Sequence, residues 1–313
     1  MAGTAAVSAA CSSDKSGAVA KDGSVTIKHV FGETRIPGPP QRVVSAGLTE
    51  QDDLLALGVV PIAVTDWFGG EPFGVWPWAR PKLGPAQPVV LNLADGIQVD
   101  QIAALKPDLI VTVNAGLDAD TYSKLSAIAP TIAQSGQAAF FEPWKDQATV
   151  IGQAVFKDAD MNALITAVND RFVNAGKENA SLNGRSVLVV GGTFLEDHAI
   201  VTAAGSRTDY LTQMGLVIPD AIDQFVDGPR ALVPRDRVVS VLDTADILIW
   251  TTESDDERNA LLADPTFAEL KATRSKRNVF TDRELAGAIA FGTVLSYPVV
   301  ADRLPRLLAT ALT

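Results

Sequence analysis

The chain has 313 residues, 47% of them hydrophobic and 20% charged, and one cysteine. That composition belongs to a folded globular protein long enough for two domains, and it excludes a wholly disordered chain and a disulfide scaffold. The net charge of −11 speaks against broad contact with a phosphate backbone, and the most apolar stretch, 286–301, is broken by Gly287, Gly292, Ser296 and Pro298, so no run reaches the ~18–20 apolar residues of a membrane span.

Residues 1–10, MAGTAAVSAA, are small and apolar, with no basic residue ahead of them. A secretory signal needs a charged start, an apolar middle and small residues before cleavage, and only the last part is present. Ala9-Ala10-Cys11 resembles the end of a bacterial lipoprotein signal, with Ser8 where leucine is usual. Residues 1–24 are therefore expected to be a signal remnant and tether, with Cys11 the lipidation site. An unstructured Ala/Ser tail with an incidental cysteine is the alternative. One fatty chain anchors only marginally, so stable attachment requires a multiply acylated cysteine.

Beyond the tether, short runs rich in Val and Ile predict buried strands at Val43–Ser45, Val59–Thr65, Leu109–Val113, Val187–Val190 and Ile247–Thr251. Helices are expected between them, at Glu50–Leu57 before Gly58 and at Asp100–Lys106 before Pro107. Such alternation means βα units and parallel sheets with covered faces. A faint repeat supports two halves: 51–60 matches 208–217, and 100–111 resembles 236–249. Between the halves, Met161, Leu164, Ile165, Val168, Phe172 and Ala175 fall on a helical stripe. The expected domains are an N-terminal lobe (25–157), a connecting helix (158–182) and a C-terminal lobe (183–313).

Catalytic signatures do not appear. The two histidines, His29 and His198, form no metal-ligand motif, and there is no phosphate-binding loop or nucleophile elbow. The chemistry-bearing feature is instead a set of aromatics in Gly/Pro-rich segments: Trp67, Phe68, Phe73, Trp76, Trp78, Phe140, Phe141 and Trp144. Loops after parallel strands form the crevice where open α/β folds bind ligands. Rings there suit an apolar or aromatic ligand, or else pack into a core of the loop's own.

Several segments carry a resemblance to a known family. They are Pro40–Ser45 before a helix containing Glu50, Leu55–Pro61, IQVDQIAALKPDLIV at 97–111, Ala204-Gly205-Ser206 leading to Leu216, and Asp264–Phe280. Over roughly residues 24–313 the chain resembles the periplasmic-type binding proteins for ferric siderophores, haem and vitamin B12 that feed ABC importers. It looks closest to actinobacterial iron-siderophore lipoproteins.

The resemblance implies two Rossmann-like α/β lobes with parallel sheets, joined by one long rigid helix, with ligand held between them. It implies a monomeric binding protein, not an enzyme, outside the cytoplasmic membrane and held there only by its lipid anchor, with an ABC permease as partner and no nucleic acid. By position, permease-docking carboxylates fall on Asp100 and Asp236, where the family usually has Glu; either could instead serve a helix N-terminus. Ligand contacts fall near Trp67, Asn92, Leu117, the Phe225–Arg230 loop and Phe291. The wider candidate set adds Phe68, Trp76, Trp78, Arg80, Phe141, Trp144 and Tyr297. Arg80 and Arg230 are the basic residues expected nearest the cleft.

Few arginines favour an apolar ferric chelate of low charge, mycobactin-like or hydroxamate in type, over a triply anionic catecholate. No cofactor and no direct metal ligand are expected. Haem is the alternative ligand, with Tyr297, Tyr210 or His198 as axial ligand. An α/β enzyme without recognisable motifs and a protein-interaction module are the readings from other classes.

Overall fold

The computed structural model describes residues 16–313; Cys11 and the lipid anchor expected there lie outside the described residues. Among these residues the strands form three sheets. The first is a hairpin of β1 (Val25–His29) and β2 (Gly32–Ile36), paired antiparallel. Alternate residues of β1 turn inward, as a half-buried strand requires. His29 is among them, bonded to Thr34 Oγ1 at 3.0 Å.

The second sheet is wholly parallel. It runs in the order β5 (Val89–Leu91), β4 (Ala63–Thr65), β3 (Val43–Ser45), β6 (Leu109–Thr112), β7 (Thr131–Ala133). All residues of β3 and β6 are buried, which explains their unbroken apolar character: helices cover both faces. The strand expected over Val59–Thr65 starts only at Ala63. Val59 N is spent on Leu54 O at 2.9 Å as the preceding helix, Glu50–Ala56, closes through Gly58 (φ 72°), and Pro61 has no N–H to give to a ladder.

The third sheet has the order β10 (Val226–Asp227), β11 (Arg230–Pro234), β9 (His198–Thr202), β8 (Val187–Leu195), β12 (Ile247–Thr251), β13 (Asn278–Phe280). Here the expectation of parallel strands throughout is corrected: β8, β12 and β13 are parallel, while β8–β9, β9–β11 and β10–β11 are antiparallel. The cause is local. β8 runs on past the expected Val190 through an irregularity between Val190 and Phe194, then folds back as a two-residue hairpin. The β8–β12–β13 core repeats the β3–β6–β7 arrangement, and this is the structural content of the faint sequence repeat.

The helix Asp158–Glu178 has 21 residues, about 32 Å at 1.5 Å per residue. Met161, Val168, Phe172 and Ala175 are its buried stripe, whereas Leu164 and Ile165 are only half-buried. Each of its large apolar side chains contributes roughly 1.5–3 kcal/mol on burial. Residues 180–182 form a separate 3-10 turn.

The C-terminal segment makes a second tie to the first half. Thr293 Oγ1 donates to Asp52 Oδ2 at 2.6 Å. Gly287 packs so closely on Trp76 that a Cβ there would lie 2.5 Å from the ring. One apolar cluster accordingly joins Leu54, Trp144, Phe172, Tyr210 and Tyr297.

Candidate functional site: an aromatic wall beside a lone arginine

The carboxyl ends of β4 and β7 and the end of the helix Arg283–Phe291 meet at one place. Trp67 and Phe68, just after β4, lie 4.6 Å apart by ring centroid. Trp67 is 5.2 Å from Phe141 and 5.6 Å from Phe291. Behind them Trp76 and Trp78 stack at 4.9 Å, with Phe291 against both. Six of the aromatics singled out in the sequence thus form one wall drawn from both halves of the chain. Trp67, Phe68 and Phe141 keep partial exposure, while Trp76 is 2% exposed and backs the wall.

The wall's neighbour is a hollow of about 320 Å³, lined by Phe140, Phe141 and Glu142 on one side and by Ala203–Arg207, Gly228 and Pro229 on the other. Its positive charge comes from Arg207, while Glu142 is turned to Ser135. The guanidinium carbon lies 4.6 Å from the Phe141 ring centre, and Nη2 donates to Ala290 O at 2.9 Å. No carboxylate among the described residues pairs with it. Burial pulls its pKa below the usual arginine value, against a smaller opposing effect of Tyr297 and Tyr210. A half-buried cation bonded to a carbonyl and packed on a ring attracts an anionic group on whatever fills the hollow. Sequence reasoning missed Arg207. Its signal was the Ala204-Gly205-Ser206-Arg207 loop after β9, where only the first three residues were read.

Other candidates stand elsewhere. Arg80 pairs with Glu71 and borders a separate hollow with Pro72 and Phe73. Arg230 is exposed at the start of β11; its loop contributes Gly228 and Pro229 to the hollow, while Phe225 packs on the core of the mixed sheet. Leu117 is 5% exposed, turned into the core of the parallel sheet because its loop folds back over β6. Asn92 is exposed and ties its own turn, accepting from Ala94 N at 3.1 Å. Trp144 is 9% exposed, edge-on to Tyr297 at 5.3 Å.

Neither tyrosine offered as an axial ligand is presented to the hollow. Tyr210 and Tyr297 are 2% and 3% exposed in the shared core. Burial pushes the Tyr297 phenol up to about 12 and raises Tyr210 as well, the opposite of what a metal-binding phenolate needs. His198 sits at the end of the β8–β9 hairpin, with Nδ1 2.8 Å from Glu196 O.

Asp100 and Asp236 are exposed on different lobes. Gln98 occupies the cap position of the helix Val99–Ala104 without a side-chain capping bond, so Asp100 lies inside the first turn and does not cap it. Asp236 is in the turn Arg235–Arg237. Its neighbour Arg235 is turned away, pairing with Asp264 and stacking on Phe194 at 4.3 Å.

The model of the periplasmic binding protein family matches residues 43–285, most of the chain and both large sheets. The chain belongs to the periplasmic binding protein family. This periplasmic binding protein is 65% identical to a periplasmic solute binding protein from Mycobacterium smegmatis of known structure, with a TM-score of 0.89 over 94% of this chain and 100% of that one. It is 31% identical over 196 residues to the putative ABC transporter substrate-binding lipoprotein YhfQ of Bacillus subtilis, covering 60% of this chain and 56% of that protein. It is 29% identical over 203 residues to the Fe(3+) dicitrate-binding periplasmic protein FecB of Escherichia coli, covering 64% of each. The chain thus spans between about half and two-thirds of the length of the curated relatives it matches. Streptococcus pneumoniae PiaA, solved with ferrichrome, shares the fold at 23% identity and a TM-score of 0.77, covering 92% of this chain and 98% of that one. Among the described residues no helix is long and apolar enough to cross a membrane.

Proposed function

We propose that this protein captures a ferric siderophore between its lobes, 25–157 and 183–313, and delivers it to an ABC importer. The observation that carries this reading is the pairing of an aromatic wall from both halves with the uncompensated Arg207. Rings offer an apolar face to an organic chelate, and a single half-buried cation suits one anionic group on it. That combination fits an apolar chelate of mycobactin-like or hydroxamate type. The whole chelate is bound, so no side chain need touch iron. The names of the relatives, among them a probable siderophore-binding lipoprotein of Bacillus subtilis, support the class.

In this reading Asp100 and Asp236 face the permease as exposed carboxylates, and paired rim charges orient such a complex more than they strengthen it. Acylation of Cys11 would hold the protein on the outer face of the cytoplasmic membrane, with the helix Asp158–Glu178 as the rigid connection between lobes.

The test is a titration of tryptophan fluorescence with ferric carboxymycobactin, ferrichrome, their iron-free forms and haemin. Saturable quenching by a ferric chelate, weakened at least about tenfold by Arg207→Gln when the chelate carries a carboxylate, is the expected result. Preferential saturation by haemin, or silence with every compound, would sink the siderophore assignment.

A further inference from the structure

Phe141 is the ring on which the site turns, since it touches Trp67 on one side and carries the Arg207 guanidinium on the other. Its backbone has φ +56°, a left-handed conformation that bulky residues rarely adopt. Something must hold it there. The Phe141 amide donates to Asn114 Oδ1 at 2.9 Å. Asn114 is 1% exposed and sits just beyond the end of β6.

Asn114 is itself fixed at two further points. Its backbone N donates to Glu50 Oε1 at 2.8 Å, and its Nδ2 donates to Thr49 Oγ1 at 3.0 Å. The segment before Phe141 is pinned as well. Gly116 N donates to Ala139 O at 3.0 Å, and the Phe140 ring lies so close over Gly116 that a Cβ there would come within 2.1 Å of it. A chain of bonds therefore runs from the buried start of the helix Glu50–Ala56, through one asparagine, to the backbone of a cleft aromatic.

We infer that Asn114 is a positioning residue for ligand binding: by accepting the Phe141 amide it holds that ring between Arg207 and Trp67, and so fixes the shape and charge of the space a chelate enters. The inference rests on the binding reading above. Asn114 does not line the hollow; it acts through Phe141. Without the bond, the Phe141 amide loses the partner that favours its left-handed backbone, and relaxation swings the ring off both neighbours.

A double-mutant cycle tests this. Asn114→Ala, Phe141→Ala and the double variant are titrated with ferrichrome and ferric carboxymycobactin, well below the melting temperature of each. Asn114→Ala should weaken binding about tenfold, within the range of coupled neighbours, and add nothing in the Phe141→Ala background. The ligand-free Asn114→Ala protein should also show a changed Trp emission spectrum, because Trp67 loses its ring neighbour. Thr49→Val frees the Asn114 amide without touching its backbone. It should show the same effects at smaller size, and it replaces Asn114→Ala in the cycle if that variant does not fold. Additive effects, or unchanged affinity and emission, overturn the inference while wild-type saturation keeps the binding reading intact. If the wild type saturates with neither chelate, the binding reading falls and the inference with it.

Discussion

The helix Glu50–Ala56 buries three carboxylates, and the protein should therefore become more stable on mild acidification. Glu50, Asp52 and Asp53 are at most 1% exposed. They accept only neutral donors: Glu50 from Thr49 N and Asn114 N, Asp52 from Trp78 Nε1 and Thr293 Oγ1, and Asp53 from Gln147 Nε2. Burial is the largest influence on each. It pushes Glu50 up to about 7 and Asp52 up to about 6, and holds Asp53 well above the usual carboxylate range. A folded-state pKa above the unfolded one gives stability that is full below the unfolded pKa and lost as pH rises through the folded one. At ~1.4 kcal/mol per unit, Glu50 and Asp52 are each worth up to about 3 kcal/mol.

Not all of this falls between pH 8 and 5. His29, pulled down by burial from 6.5, opposes it below that value, while Asp264 and Asp282, held below 3.8, lose their contribution only in stronger acid. The net expectation is a rise of about 2–4 kcal/mol from pH 8 to pH 5. With ~2 °C or more per kcal/mol, the melting temperature should climb by at least about 4 °C. Calorimetry across that range measures it. Asp52→Asn keeps an oxygen for Trp78 and Thr293 and should flatten the slope by its share. A melting temperature that is flat or falls from pH 8 to 5, or a slope untouched by Asp52→Asn, would refute the reasoning.

Three further outcomes are expected. Replacing Asp100 and Asp236 together with Ala should leave chelate affinity unchanged and reduce uptake by cells; an equal loss of binding would place these residues in the site or the scaffold. Gly287→Val forces a side chain into the Trp76 ring and should cost about 1–3 kcal/mol, as overpacked cores do, so an unchanged melting temperature would contradict the contact. Because the lobes share a long helix and the C-terminal tie through Asp52 and Thr293, ligand should change the radius of gyration only slightly. Solution scattering that shows a marked contraction would argue for a looser hinge.

Much of the fold could be read from the residues. The strands at Val43–Ser45 and Ile247–Thr251 and the helix beginning at Asp158 were legible, because burial on both faces demands unbroken Val/Ile runs and a helix needs its 3.6-residue stripe. The aromatic wall was half-legible. Five of its members were marked by ring chemistry in Gly/Pro-rich loops and Phe291 only by the family resemblance, and their meeting depends on where β4, β7 and the helix Arg283–Phe291 end in space.

Other features were decided only by tertiary structure. The antiparallel turn of the third sheet hangs on a local irregularity in β8, which no periodicity announces. Leu117 and Tyr297 looked available and are core, since exposure is set by what packs over a loop. Arg207 and Arg80 have the same chemistry, but Glu71 neutralises Arg80 and, among the described residues, no carboxylate pairs with Arg207. Glu50, Asp52 and Asp53 carry no local sign of burial, yet Asn114 closes over Glu50, Gln147 over Asp53 and Thr293, some 240 residues along the chain, over Asp52. Sequence determines local periodicity and side-chain chemistry; which charge is left without a partner depends on contacts between residues far apart in the chain.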